Sequence, residues 1–227
     1  MDDMTYNKLI SIKKDINIFL ENLIIFSEKY NHTVAQSEKD FFIFISKHII
    51  FFKYLYLYAE QQYILKVIIS DLYYYIISIL KNETRYMYLN QRSIIENYTR
   101  MIMRTSVEKD HITSNIFDAL KEKKFYFDFT NDDYSLIKSE YTTACGYIHG
   151  SDILKEHLSF IFDECLKNKP IKNVNKYYDV MKKIFHIYDK MLISEYGYII
   201  NGCFHREKTI FKYLLGQKCL DLLFKVI

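Results

Sequence analysis

The 227-residue chain has very few of the residues that form tight turns, with one proline and five glycines. Strand-rich folds need such residues at their hairpins, and the Asn-Gly and Asp-Gly pairs that favour hairpin turns are nearly absent as well. Long helices need none of them, so the composition predicts an all-α protein. Tryptophan is also missing, but half of the residues are apolar and 17% are aromatic, which is enough for a sizeable core.

A strong positive charge is missing too. The net charge is +3 and the isoelectric point is near 8.4, below the level typical of a dedicated nucleic-acid-binding domain. This balance argues against purely electrostatic, non-specific binding to nucleic acid. It is compatible with a local basic patch that binds phosphate.

Sequence signals for metal binding and for secretion are absent. The four cysteines form no CxxC pair, no histidine lies at zinc-finger spacing, and there is no P-loop or HExxH motif. The first ten residues, MDDMTYNKLI, are acidic where a signal peptide needs basic residues. We therefore expect a cytoplasmic protein with reduced thiols and with no metal or other cofactor.

Two apolar segments, 41–58 and 63–80, are long enough to be mistaken for membrane spans. Charged residues lie inside both, Lys47 in the first and Asp71 in the second. A charge at the centre of a span costs about 2.5–3.5 kcal/mol. We interpret both segments as buried core helices and expect no stable membrane insertion.

The apolar periodicity predicts a single-domain bundle of about seven to nine helices over residues 1–227, because no polar linker divides the chain. Two capping boxes, Ser37–Asp40 and Thr130–Asp133, mark helix starts. The segment 37–81 is either one helix bent near Ala59 or two helices. Helices are expected at about 5–30, 37–81, 84–104, 106–123, 130–146, 151–169, 173–198 and 204–226.

The segment RYMYLNQRSIIENYTRMIMR places three charged residues on one helix face. At 100° per residue, Arg85, Arg92 and Glu96 share a narrow stripe. Arg92 and Glu96 are spaced i,i+4 and can pair; on a solvent-exposed face such a pair contributes only about 0.2–0.5 kcal/mol. In the other interpretation the stripe lines an internal polar site, where Glu96 orients Arg92 to bind a phosphate or carboxylate.

The segment YTTACGYIHGSD contains a histidine at a predicted helix junction. Gly146 is expected to end one helix, Gly150 permits a left-handed turn, and Ser151 caps the next helix. His149 would then lie near a helix N-terminus, which favours a bound anion. The imidazole is either a working group or a ring that closes the turn by bonding a carbonyl.

Together, the R-x6-R-x3-E helix and the later aliphatic-His-Gly resemble the HEPN superfamily of bacterial all-helical proteins. The resemblance covers about residues 60–165. It is carried by Arg85, Arg92, Glu96, Tyr141, His149 and Gly150.

The resemblance implies a helical bundle that acts as a homodimer on RNA or a nucleotide, or on a cognate protein partner. Many HEPN proteins are metal-independent ribonucleases or toxins of phage-defence or toxin–antitoxin systems. An imidazole moves the proton of the 2′-hydroxyl or of the leaving oxygen, and arginine stabilises the phosphate. The implied catalytic residues are His149, Arg92 and Arg85 with Glu96 orienting, and the implied binding residues are Tyr141, Tyr147 and Ser151.

The chain departs from the Arg-x4–6-His motif of HEPN ribonucleases. Residues 142–144 stand where the arginine is expected before His149, and they are Thr, Thr and Ala. A literal match, Arg104-x6-His111, falls between two predicted helices and is the weaker candidate. The alternative function is a non-catalytic interaction or regulatory module of the same fold, such as an immunity protein, an antitoxin or an effector-binding protein.

Overall fold

The structure, a computed structural model, describes residues 3–105, 114–149 and 173–227. These residues form nine α-helices and no strand, which confirms the predicted all-α class. The helices are α1 (Asp3–Glu28), α2 (Gln36–Tyr56), α3 (Gln62–Leu80), α4 (Thr84–Met103), α5 (Ser114–Glu122), α6 (Asn131–His149), α7 (Val174–Cys203), α8 (Lys208–Leu215) and α9 (Gln217–Val226).

Helix α4 lies at the centre of the arrangement, packed against α3 on one side and α6 on the other, with α5 and α7 beside it. Helices α2 and α7 pack across the bundle, and α1 lies outside α2 and α8. All nine helices contribute to one continuous apolar core. Its largest fully buried side chains are nearly all tyrosine and phenylalanine, and Phe41 stacks on Tyr178 with 4.3 Å between ring centroids.

The segment 37–81 is two helices, since α2 ends at Tyr56 and α3 begins at Gln62. The Thr130–Asp133 capping box is confirmed: the Asp133 amide donates to Thr130 Oγ1 at 3.1 Å, and the Thr130 amide donates to Asp133 Oδ2 at 3.2 Å. The prediction that Ser37 caps the start of α2 is wrong. Helix α2 begins one residue earlier, its N-cap is Ala35, and no side chain caps it.

Asparagine takes the left-handed backbone conformation at three helix boundaries. Asn31, Asn82 and Asn173 have φ of 52°, 55° and 54°, beside the ends of α1 and α3 and the start of α7. Asparagine tolerates this region better than most residues because its short side chain bonds locally. Arg104, after α4, has φ of 51° as well. The chain therefore turns between helices with little glycine.

Helix α3 is the one described helix that is long and apolar enough to cross a membrane by length and composition. Half of that stretch is buried inside the bundle. Asp71, near its middle, accepts a hydrogen bond from Ser93 Oγ of α4 at 2.6 Å. The packing of α3 against α2 and α4 agrees with a core helix, and the absence of membrane insertion stays a prediction.

His48 of α2 and Asp189 of α7 form an ion pair in the core, with both side chains at most 1% exposed. His48 Nε2 lies 3.0 Å from Asp189 Oδ2, and its Nδ1 lies 2.9 Å from the carbonyl of Phe44. Both nitrogens of the ring therefore face acceptors, and Nε2 pairs with the Asp189 carboxylate. Burial alone would raise the pKa of Asp189, but the charge and hydrogen bonds of His48 and His186 lower it below its usual value.

Removing one partner of this pair is expected to leave a buried charge. Asp189→Ala should lower the free energy of unfolding by about 3–5 kcal/mol, the usual cost of breaking a buried ion pair. The free energy of unfolding should fall less in the double variant His48→Leu/Asp189→Leu than in Asp189→Ala, because the double variant buries no charge. Urea unfolding of the variants measures both values. A double variant that loses as much stability as Asp189→Ala, or more, would contradict the pairing.

The carboxyl of Asp71 should make stability depend on pH. Burial raises the pKa of Asp71 to about 6 from an ordinary value near 3.8. The folded protein therefore binds this proton more tightly, and the free energy of unfolding falls as pH rises from about 4 to 6. Asp71→Asn should remove that fall and raise the melting temperature at pH 7.5 more than at pH 4.5.

The matched control for Asp71→Asn is Asp179→Asn, which replaces an exposed carboxylate of α7. It should shift the melting temperature equally little at both pH values. Equal shifts for the two variants would show that Asp71 does not carry the pH dependence.

Candidate functional site

The charged stripe of α4 lies along α6. The two helices run antiparallel: Arg85, at the start of α4, contacts Ile148 at the end of α6, and Glu96, three turns later, contacts Tyr141. The amphipathic pattern of α4 produces this arrangement, since Ile94, Ile95 and Tyr98 fill the core on the opposite side. The stripe therefore faces α6, and its role as one wall of a polar site stays a prediction.

Glu96 joins the two helices through one oxygen. Arg92 Nε donates to Glu96 Oε1 at 2.8 Å, and the Tyr141 hydroxyl donates to the same oxygen at 2.7 Å. The guanidinium carbon of Arg92 also lies 5.8 Å from the centre of the Tyr141 ring. Three groups thus hold one another in a fixed geometry, as expected for a glutamate that orients an arginine.

The same contacts determine which side chains carry charge. Burial alone would lower the pKa of Arg92, but the hydrogen bond and the charge of Glu96 raise it above its usual value. Burial, followed by the bond with Glu96, raises the pKa of Tyr141 above its usual range. Arg92 is therefore a permanent cation near neutral pH, and Tyr141 is a neutral hydrogen-bond donor.

Arg85 reaches the last turn of α6. Its Nη2 donates to the carbonyl oxygen of Ile148 at 3.1 Å, and its side chain is exposed. Carbonyls in the last turn of a helix have no donor within the helix, so an arginine there satisfies one of them. Ile148 directly precedes His149, so Arg85 lies beside the backbone that carries the predicted histidine.

Tyr147 packs against α4. Its ring stacks on that of Tyr88, with 3.9 Å between centroids and 14° between planes, and about half of its side chain is exposed. This stack, together with the bond from Arg85 to Ile148, extends α6 to His149. The prediction that Gly146 ends a helix is therefore wrong, because the packing outweighs the roughly 1 kcal/mol that glycine costs inside a helix.

His149 is the last residue of α6, and its side chain lies outside the described part of the structure. The sequence predicted that His149 lies at a junction between two helices, whereas the structure has it within α6. Gly150 and Ser151 lie outside the described residues as well, so the predicted roles of Ser151 and of the turn stay predictions.

The alternative pair, Arg104 and His111, does not join this group within the described residues. Arg104 lies about 28 Å from Arg85 along the axis of α4. Its Nη2 donates to the carbonyl of Glu195 at 3.0 Å, and its guanidinium lies 5.2 Å from the ring centre of Tyr196. Arg104 thus attaches the end of α4 to α7. His111 lies outside the described residues.

A buried polar chain, which the sequence analysis missed, continues the site into the core. Gln91, fully buried on α4, donates to Glu140 Oε2 at 3.3 Å and accepts from the Tyr177 hydroxyl at 2.6 Å. The Tyr177 hydroxyl also bonds that of Tyr75. Gln91 and Glu140 directly precede Arg92 and Tyr141 in the chain, and a glutamine on the apolar side of α4 was the available signal.

A second polar cluster lines a cavity of about 220 Å³ at the start of α4. His32 Nε2 lies 2.9 and 3.0 Å from the two carboxylate oxygens of Glu38, and the Tyr178 hydroxyl donates to Glu38 Oε1 at 3.2 Å. Thr84 and Met87 of α4 line the same cavity. No local spacing signals this cluster, because Glu38 and Tyr178 are 140 residues apart.

The described residues hold no group of three or more His, Cys, Asp or Glu side chains that could bind a metal ion. Comparisons of the chain with protein-family models, curated proteins and solved structures found no match.

The Tyr141 hydroxyl is expected to stabilise the protein through Glu96. Tyr141→Phe should lower the free energy of unfolding by about 1.5 kcal/mol, the lower end for a bond to a charged group, because water replaces part of the bond at a partly exposed site. In a Glu96→Ala background the same change should cost almost nothing. Denaturant unfolding of the four proteins measures the coupling.

Tyr198→Phe serves as the matched control, because the Tyr198 side chain is 74% exposed. It should leave stability unchanged in both backgrounds. An equal effect of Tyr141→Phe with and without Glu96 would contradict the bond as the source of the loss.

Proposed function

We propose that the chain is a HEPN-like, metal-independent endoribonuclease of a phage-defence or toxin–antitoxin system, acting at the edge between α4 and α6. The observation that carries the proposal is the hydrogen bond from Arg85 Nη2 to the carbonyl of Ile148. It places an exposed guanidinium beside the residue that precedes His149. An arginine from α4 thus substitutes in space for the arginine that the chain lacks before His149.

In this proposal, Arg85 and Arg92 bind the phosphate of the RNA backbone and stabilise the charge that develops on it. They lie about 10 Å apart along α4, which suits contacts with a stretch of backbone rather than with a single phosphate. Glu96 and Tyr141 orient Arg92. His149 transfers the proton of the 2′-hydroxyl or of the leaving oxygen.

A non-catalytic module is the second candidate, and the Glu96 network favours it. The carboxylate of Glu96 is bonded to residues of both helices, as in a polar centre that only holds α4 against α6. In that case the exposed Arg85 and Tyr147 form part of a surface for a cognate protein partner. The two candidates differ in whether His149 is needed for an effect on RNA.

The first test is induced expression of the wild type and of His149→Ala and Arg85→Ala, with growth recorded and total RNA examined. The wild type should arrest growth and cleave RNA, also with EDTA present in the lysate assay. Both variants should do neither at equal soluble level, because removing one stabilising donor costs about 10²–10³ in rate.

His205→Ala and Arg206→Ala are matched controls, because both residues are exposed and lie after α7, outside the site. They should behave as the wild type. RNA that stays intact with wild-type protein, both in growing cells and during phage infection, would contradict the nuclease. A cognate protein that co-purifies with the wild type and is lost with Arg85→Ala would then support the module.

A further inference from the structure

Helix α1 carries a row of exposed residues directly opposite its buried face. Leu9, Ile16 and Leu23 face the bundle. At 100° per residue, five exposed residues occupy an arc of about 80° around the helix axis. The centre of this arc lies about 160° from the buried residues. We call this row the α1 seam; it consists of Ile10, Lys14, Ile18, Glu21 and Ile25.

The α1 seam alternates isoleucine and charge. Ile10, Ile18 and Ile25 are 44%, 45% and 59% exposed, although isoleucine is among the residues most often buried. Among the described residues, helix α1 packs mainly on α2 and α8, and the residues of the α1 seam are exposed. A face that is apolar at three positions on the outside of a helix indicates a partner helix.

The charges of the α1 seam are arranged symmetrically about the midpoint between residues 17 and 18. When two copies of α1 pair antiparallel about a two-fold axis between positions 17 and 18, Lys14 of each copy faces Glu21 of the other. Ile10 of one copy then faces Ile25 of the other, and Ile18 of one copy lies beside Ile18 of the other. A parallel pair would instead set Lys14 against Lys14 and Glu21 against Glu21, which is repulsive. The charges therefore select one occupant and one orientation.

We propose that the α1 seam is the surface through which two copies of this chain associate, as an antiparallel, two-fold symmetric helix pair. The interface is isologous, since each copy supplies the same residues. The contact spans about 22 Å from Ile10 to Ile25, so its area is below that of a standard stable interface and the association is weak. The proposal does not depend on the nuclease activity, because α1 packs on α2 and α8, whereas the candidate site lies between α4 and α6.

The first test is a charge exchange read by light scattering of the full chain from 5 to 500 µM. The wild type should pass from monomer, 27.5 kDa, towards twice that mass as its concentration rises. Lys14→Glu and Glu21→Lys should each weaken association at least tenfold by opposing like charges. The double variant Lys14→Glu/Glu21→Lys should restore it. All these side chains are exposed, and circular dichroism verifies that each variant is folded.

The second test is disulfide formation under mild oxidation. Ile18→Cys should form a covalent dimer, because position 18 lies next to its own copy at the two-fold axis. Ile10→Cys lies on the same face and is equally exposed. It should form no more covalent dimer than the wild type, because residue 10 of the other copy lies about 22 Å away. The variant Ile10→Cys/Ile25→Cys should form covalent dimers again. The wild type, with its own cysteines, gives the background.

Three outcomes would overturn the proposal. The wild type could stay monomeric up to 500 µM. The charge variants could associate as the wild type does, which would place the contact on another surface. Ile10→Cys could form covalent dimers as readily as Ile18→Cys, which would exclude the antiparallel register. Loss of association in both single charge variants with recovery in the double variant would support it.

Discussion

One carboxylate oxygen, Oε1 of Glu96, bonds residues of both α4 and α6 and helps to hold the two helices in register. Glu96 accepts from Arg92 on its own helix and from Tyr141 on the neighbouring one, so neither helix can slide along the other without breaking a charge-assisted bond. Every other contact of the candidate site depends on that register. The stacking of Tyr147 on Tyr88, and the reach of Arg85 to Ile148, follow once α6 lies antiparallel at this height.

The core behind this register is filled by aromatic rings that carry polar atoms. Tyr75, Tyr98 and Tyr188 are completely or almost completely buried. Most buried hydroxyls of this kind have partners, as Tyr188 has in Thr99 at 2.9 Å. Such pairings are directional, so they specify one arrangement of helices where aliphatic packing alone would tolerate several. The ion pair of His48 and Asp189 extends the same principle to charge.

The sequence predicted what depends on helical periodicity. The all-α class and the pairing of Arg92 with Glu96 follow from composition and from spacing along one helix, whereas the sequence left open whether 37–81 is one helix or two. The order of Arg85, Arg92 and Glu96 on one face also follows from it, and the structure adds that this face meets Tyr141. Local patterns were informative because helix geometry relates residues three and four apart.

Predictions failed where distant contacts override local preference. Gly146 has a low helix propensity, yet the Tyr147–Tyr88 stack carries α6 through it. Ser37 is a good capping residue, yet α2 begins at Gln36. The cluster of His32, Glu38 and Tyr178 joins segments far apart in the chain, and no single window of sequence contains it.

The left-handed helix boundaries have a consequence for how the bundle resists unfolding. Asparagine has less conformational freedom than glycine in the unfolded chain, so ordering it at a boundary loses less entropy. Arg104 lacks the local bonding that makes this conformation tolerable for asparagine, and the left-handed region costs it about 1–2 kcal/mol. The hydrogen bond from Arg104 to the Glu195 carbonyl offsets that strain, so α7 holds the end of α4 in place.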